Sequence, residues 1–512
     1  MKLHSKFTPV WLALQVAAIL ALAGCAVGPD FKPAVPEAPA DFSAWHGGSP
    51  ELVDAQRALA KPGATPFGWS IFGDPVLIRL EERALAANSD VQAAALRFAQ
   101  SRVQGSIVRS QRLPQVNASG SVSRVRESED GDITRILGAL NPANRDQIIK
   151  ILADPHDLYQ AGFDASWEVD LWGRVGRAME AADANAVASQ AMLAQVQLSV
   201  QAELARRYFD LRSLQRQIRI ARSDIEAGQE TRDLVQARAN GGLTTDLDVV
   251  RQDAQLADVR AKVPQLLMQE AQAANAITLL AGERPGALAA ELAAQPDAPV
   301  AALPDLSMGL PSEVALRRPD IQSAEAQLHA ATADIGVAVA DLYPRITIGA
   351  NFGFLSVTDS AFAEWGSRQW SIGPSLQLPI FDGGRRRATV TLRKLQQQQA
   401  AVAYQQTVLK AWQEIDDAMN AYAAESQRNA ELARRERSSR DALLLARVRY
   451  ESGLTDFLVQ LDAQRNLLQA QRDYAESTGR LATGLVSISK ALALPAPLVS
   501  QAVQVGSAPN QD

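Results

Sequence analysis

The chain has 512 residues, a formal net charge of −6 and 47% apolar residues, with few aromatics. That charge balance offers no basic footprint for nucleic acid. The length exceeds one ordinary domain, and a single cysteine excludes an internal disulfide. A composition rich in Ala and Gln fits extended helix packing better than one large globular core.

Residues 1–24 read as a processing segment. Lys2 and Lys6 give a positive start, residues 10–22 form an apolar run, and Leu22-Ala23-Gly24-Cys25 follows. This resembles a bacterial lipoprotein signal, which implies cleavage before Cys25 and a covalent lipid on its sulfur. An ordinary secretory signal or a short membrane anchor is the other reading, although the run is short for a spanning helix. Ala26, rather than Asp, follows the cysteine. By the sorting pattern that the resemblance implies, this favours the outer membrane. Residues 25–70 hold Pro29, Pro33, Pro36 and Pro39, which oppose helix and central strand and predict an extended tether.

A helical pattern occupies residues 71–113, with Leu77, Leu80, Leu85, Val91, Phe98 and Val103 roughly on one side. One helix of roughly 38 residues at ~1.5 Å each would reach about 57 Å and needs a bundle partner. Residues 114–171 change period. Val116, Ala118, Gly120 and Val122 alternate with polar residues, as do Tyr159, Ala161, Phe163, Ala165, Trp167 and Val169. Each stretch is long enough to cross a bilayer as a tilted strand, although a soluble hairpin has the same pattern. The polar connection between them is long, as loops on one side of an outer-membrane barrel are.

Residues 172–282 predict a long helical hairpin. Its first arm has near-heptad positions Leu193, Val196, Val200, Leu204, Leu211, Leu214 and Ile218. Gly241-Gly242-Leu243-Thr244 interrupts the pattern: Gly supplies a positive φ, and the Thr is read as the cap of the next helix. Pro264 predicts a kink or a junction in the return arm. Residues 283–310 break the pattern and read as a crossover.

The chain then repeats itself. Asp90 and Pro114 are echoed by Asp320 and Pro344, both 230 residues on, in a second helical segment, 311–343. The second strand pair, residues 344–382, has faces Ile346, Ile348, Ala350, Phe352 and Trp370, Ile372, Pro374, Leu376, Leu378, Ile380. Gly173-Arg174 is echoed by Gly384-Arg385, and Gly242-Leu243-Thr244 by Gly453-Leu454-Thr455, both 211 residues on. The register therefore changes by 19 between the paired strands, where the second connection is shorter. Residues 383–495 form the second long hairpin, and 496–512 a flexible tail. Four strands cannot close a membrane barrel, so chains must pool them; a dimer and a trimer both remain open on these grounds.

The lipobox, the duplicated layout, Leu113-Pro114, Tyr343-Pro344, Phe381-Asp382-Gly383-Gly384-Arg385 and the paired Gly-Leu-Thr turns resemble the outer-membrane factor (TolC-like) family. Within it the chain resembles the lipoprotein branch of tripartite efflux systems. The resemblance covers roughly residues 20–495. It implies a mixed α/β membrane protein: a homotrimer with a 12-stranded β-barrel, four strands per chain, continued by a long periplasmic α-helical barrel. It implies passive export of small molecules delivered by a periplasmic adaptor and an inner-membrane pump of the resistance-nodulation-division type. Gly242, Leu243, Thr244, Gly453, Leu454 and Thr455 match the adaptor-contacting tips; packing of the hairpin end is the alternative for the two leucines. Asp462 matches the aperture position nine residues after Gly453, but Val459 stands where the family has a further acidic residue; the first copy offers Asp248, six residues after Gly242, as a second aperture candidate, and pairing with Arg449, Arg251 or Arg465 would also explain the two aspartates. A conduit for type I protein secretion and a non-transport coiled-coil or surface lipoprotein are the competing functions.

No catalytic or metal site is legible. His4, His46, His156 and His329 have no metal-like spacing, and Gly383-Gly384 before three arginines lacks a phosphate-loop pattern. The reading is of a non-enzyme without cofactor, apart from the lipid on Cys25.

Overall fold

The computed structural model describes residues 26–33, 47–53, 69–131, 135, 143–293, 314 and 316–494. Cys25 and the signal, most of the tether, most of the crossover and the tail at 496–512 lie outside the described residues. The elements are α1 (Pro75–Ala87), α2 (Ser89–Ser110), β1 (Gln115–Val125), α3 (Arg145–Leu152), β2 (His156–Val169), α4 (Arg174–Asn240) and α5 (Asp246–Leu280). There follow α6 (Pro319–Ala340), β3 (Arg345–Ser356), β4 (Arg368–Gln377), α7 (Arg385–Glu451) and α8 (Phe457–Ala491). The chain forms two compact units: Met1–Lys32, Gln100–Ala186 and Ala326–Ala401 in one, the remaining segments in the other.

The first unit holds one antiparallel sheet, in the order β1-β2-β3-β4. Its register explains the alternation of the sequence. Ala118 pairs with Phe163, Phe163 with Phe352, and Phe352 with Trp370; Val116, Ala165, Ala350 and Ile372 form a parallel row. One face is therefore apolar across all four strands. A one-residue slip of any strand would turn its apolar set to the other face, which fixes the register. This apolar face is exposed in the chain, Trp370 by 67% and Ile372 by 69%. Among the described residues β1 and β4 each pair on one side only. The strands of 11, 14, 12 and 10 residues all reach or exceed the ~9–11 that a tilted spanning strand needs. Leu378 and Ile380, expected on the fourth strand, lie beyond its end at Gln377, where Pro379 lacks the N–H that a ladder requires.

The second unit is helical. Its core packs Leu77 and Leu80 of α1 against Leu204, Tyr208 and Leu211 of α4, Ile277 of α5, and Leu485 and Ile488 of α8. Asp74 caps α1 by accepting from Val76 N at 2.8 Å, and Tyr208 Oη donates to its other oxygen at 2.5 Å. Glu81, also in α1, is buried without a partner for Oε1, and burial pushes its carboxyl up to about 9. Arg318, equally buried, donates to Ala491 O at 2.7 Å and to Asp320 and Glu414 at 2.7 and 2.6 Å, which pins the end of α8.

Three helical expectations differ from what is observed. The single helix expected over 71–113 is two, because Asn88 takes an extended backbone and accepts from Asp90 N and Val91 N, capping α2. Its amide also donates to Leu280 O at 3.0 Å. Of the two readings of Pro264, the junction is absent, because α5 continues through it. The connection between β1 and β2 contains α3, whose Ile148, Ile149, Ile151 and Leu152 the polar reading overlooked. No helix among the described residues is long and apolar enough to cross a membrane.

Candidate functional site

The two long hairpins reverse in the same way. Gly242 and Gly453 adopt φ of 71° and 70°, a left-handed conformation that costs other residues about 1–2 kcal/mol. Leu243 N donates to Arg238 O at 2.9 Å and Gly242 N to Ala239 O at 2.9 Å. Leu454 N donates to Arg449 O at 2.8 Å and Gly453 N to Tyr450 O at 3.0 Å. This double bond closes a helix C-terminus as a Schellman motif, satisfying carbonyls that would otherwise lack partners. The residue after the glycine ordinarily packs on the residue five positions before it. Here those residues are Arg238 and Arg449, and Leu243 and Leu454 are 74% and 71% exposed. The leucines therefore contribute little to the interior of their own hairpins.

Thr244 and Thr455 do not cap the following helices. The caps are Thr245, with no side-chain bond, and Asp456, which accepts from Val459 N at 3.2 Å. Thr244 instead donates to Asp248 Oδ2 at 2.5 Å, while Arg251 donates to Asp248 Oδ1 at 3.3 Å. Both oxygens of Asp248 are thus engaged within its own turn. Asp462 differs. It is exposed, and its bond is to Asn466 Nδ2 at 3.2 Å, on the same helix. Arg465 turns instead to Gln255 Oε1 at 2.7 Å. Val459 is 48% exposed.

Behind the tips the two hairpins are joined. Val235, Val249, Tyr450, Phe457 and Leu461 form a buried cluster, with the rings of Tyr450 and Phe457 5.5 Å apart. The guanidinium of Arg238 sits 4.5 Å above the Tyr450 ring and donates to Tyr450 O at 3.1 Å. The sequence reading missed this clasp. Its signal was Arg238 and Arg449 at the same offset as the tips, with an aromatic, Tyr450, on one side alone.

The strand-to-helix returns are built for rigidity rather than for anion capture. Asp170 accepts from Val175 N and Gly176 N at 3.0 and 2.7 Å, and Asp382 from Gly384 N and Arg386 N at 3.0 and 3.2 Å. Carboxylates therefore already occupy both helix starts. A cavity of about 190 Å³ beside them is lined by Glu168, Arg174, Tyr343, Arg345 and Arg386, among others. Arg174 binds Glu168 through two 2.8 Å bonds across its rim.

Next to these returns lies the segment after Cys25. Val27 N donates to Trp172 O at 3.2 Å, and Asp30 pairs with the buried Arg177 at 2.5 Å. Phe31 stacks on His329 at 4.3 Å, and His329 meets Glu180 at 2.8 Å. Gly28 approaches Gly336 so closely that a Cβ would lie 2.5 Å from its Cα. The histidine is thus a packing and hydrogen-bonding residue. Among the described residues no group of three or more His, Cys, Asp or Glu could hold a metal ion.

Residues 80–283 and 310–494 match the family described as outer membrane efflux protein. The chain is 33% identical over 485 residues to the outer membrane protein OprJ of Pseudomonas aeruginosa, covering 94% of each. It is 30% identical over 465 residues to the solvent efflux pump outer membrane protein SrpC of Pseudomonas putida, covering 90% of this chain and 93% of that one. Among solved structures it resembles the outer-membrane channel OprN with a TM-score of 0.80 and 34% identity, over 92% of this chain and 99% of that one.

Proposed function

Because the chain belongs to the outer membrane efflux protein family, we propose that it conducts small toxic molecules through the outer membrane as the exit channel of a tripartite pump. It is a channel component rather than an enzyme. An inner-membrane transporter of the resistance-nodulation-division type supplies the driving force, and a periplasmic adaptor connects the two. SrpC is named for solvent efflux, and apolar or drug-like small molecules are the cargo class assigned to this chain by likeness.

The observation that carries the reading is the sheet: four strands in register, one continuous apolar face and, among the described residues, two edges paired on one side only. Hydrocarbon tolerates an apolar face but no unpaired strand edge. Copies of the chain must therefore join β4 to β1, and three copies give a closed 12-stranded barrel. Internal duplication supports the same architecture. The connections 126–155 and 357–367 differ in length by 19 residues, the size of the shift between the 230 and 211 offsets.

Three assignments extend the proposal. Cys25 carries the lipid of the lipoprotein branch; the packing of Val27 and Asp30 at the strand-to-helix return supports an anchor leaving the chain there. The Gly242-Leu243-Thr244 and Gly453-Leu454-Thr455 tips dock the adaptor, supported by the exposure of both leucines. Asp462 lines the aperture. The carboxylate of Asp248 is held by Thr244 and Arg251, so it serves the aperture by fixing the shape of its tip.

Export itself is the test. In cells whose own channel gene is deleted, the chain with its cognate adaptor and pump is expected to lower the accumulation of a fluorescent pump substrate to the level of intact cells. Unchanged accumulation, with all three proteins present in their membranes, would contradict the proposal.

A further inference from the structure

The apolar face of the sheet turns to lipid, so the polar face turns to the pore, and its register isolates one charge. Asn117, Asp164, Asn351 and Ser371 stand opposite one another in a single row across all four strands. Asn117 Nδ2 donates to Asp164 Oδ2 at 3.0 Å, and Asn351 Nδ2 donates to Ser371 Oγ at 2.8 Å. The row on one side is Ser119, Gly162, Gly353 and Gln369; the row on the other is Gln115, Ser166, Gly349 and Gly373. Gly162 and Gly353 approach so closely that a Cβ on Gly162 would lie 2.7 Å from Phe352 O, so this row admits no side chain at its centre.

Other charges on this face are neutralised. Glu168 binds Arg174 at 2.8 Å and lies 3.7 Å from Arg345. Among the described residues of the four strands, Asp164 is the one carboxylate of the polar face without a cationic partner; its bond is to an amide, which orients it without cancelling its charge.

We propose that Asp164, repeated once per subunit at one height of the barrel, makes the pore prefer cations and positively charged solutes over anions. The proposal rests on the closed three-chain barrel inferred above. A ring of carboxylates in a wide water-filled pore attracts counter-ions without binding them, and the flanking rows of glycine, serine and glutamine carry no charge to cancel its field. Three unit charges about one Debye length from the axis at physiological salt change the cation-to-anion permeability ratio by about two- to fourfold.

The test uses the purified full-length protein in planar bilayers under a salt gradient. Wild type is expected to show a cation-favouring reversal potential. Asp164→Asn, which keeps an acceptor for Asn117, should lower the permeability ratio about two- to fourfold, and Asp164→Lys should carry it below unity. Asp157→Asn removes the same charge from the opposite face, where Asp157 is bound by Arg124, and should leave the ratio unchanged. Conducting channels whose ratio is the same in wild type and both Asp164 variants would overturn this inference and leave the channel reading intact. Absence of any conductance from wild type would overturn both.

Discussion

Replacing Leu243 and Leu454 together by Glu tests the docking tips. Each leucine is more than 70% exposed at the end of a Schellman turn, with an arginine in the position on which it would otherwise pack. The chain's own stability should therefore change by less than ~0.5 kcal/mol, as for other surface substitutions. Docking is different. Complete burial of a leucine is worth about 1.5–3 kcal/mol, so covering the exposed share of each tip contributes roughly 1–2 kcal/mol. Two tips per chain then give roughly 2–4 kcal/mol, or about a 30- to 1,000-fold loss of affinity on substitution. The assay is binding of the detergent-solubilised protein to its immobilised adaptor, with melting measured in parallel. Unchanged affinity would refute the tip assignment. A large fall in melting temperature would refute the premise that the leucines lie outside the hairpin packing.

Two further outcomes follow from buried and bonded carboxylates. Glu81 has an ordinary value of 4.5 and is pushed up to about 9 by burial, so between those limits the folded state holds a proton that the unfolded state releases. The stability tied to this proton is complete below about 4.5 and is lost as pH rises toward 9, at up to ~1.4 kcal/mol per pH unit. Melting between pH 5 and 8.5 should fall more steeply in wild type than in Glu81→Gln; equal slopes would contradict the buried neutral carboxyl. Asp248→Ala removes the bonds to Thr244 and Arg251 and should destabilise the first tip by about 1 kcal/mol. Faster amide exchange confined to residues 241–250 is the expected readout, and unaltered exchange would show that Asp248 does not hold the turn.

The strands were legible because one face is apolar at a strict period of two, and the pairing observed sets each apolar residue beside another. The tips were legible because a glycine with positive φ leaves a gap in a long helical pattern, twice at one offset. The break at Asn88 was not, because the apolar period runs on through it while the side chain changes partners. The caps slipped by one residue for a similar reason: Thr244 competes for Asp248 rather than for the helix N–H groups. The clasp of Arg238 on Tyr450 and the isolation of Asp164 join residues roughly 200 positions apart, and no local pattern carries such information.

In the proposed barrel, separate copies join β4 of one chain to β1 of the next, and cysteine cross-linking reads that join. A cysteine at Ser119 in β1, combined in turn with one at Gln369, Ser371, Gly373 or Ser375 in β4, scans the register on one face of the sheet. Cys25 is the only native cysteine, and the proposed lipid occupies its sulfur. At least one combination should give an oxidised ladder ending at three chains in outer-membrane fractions. A ladder ending at two or running past three, or cross-links confined to single chains at every position, would contradict it.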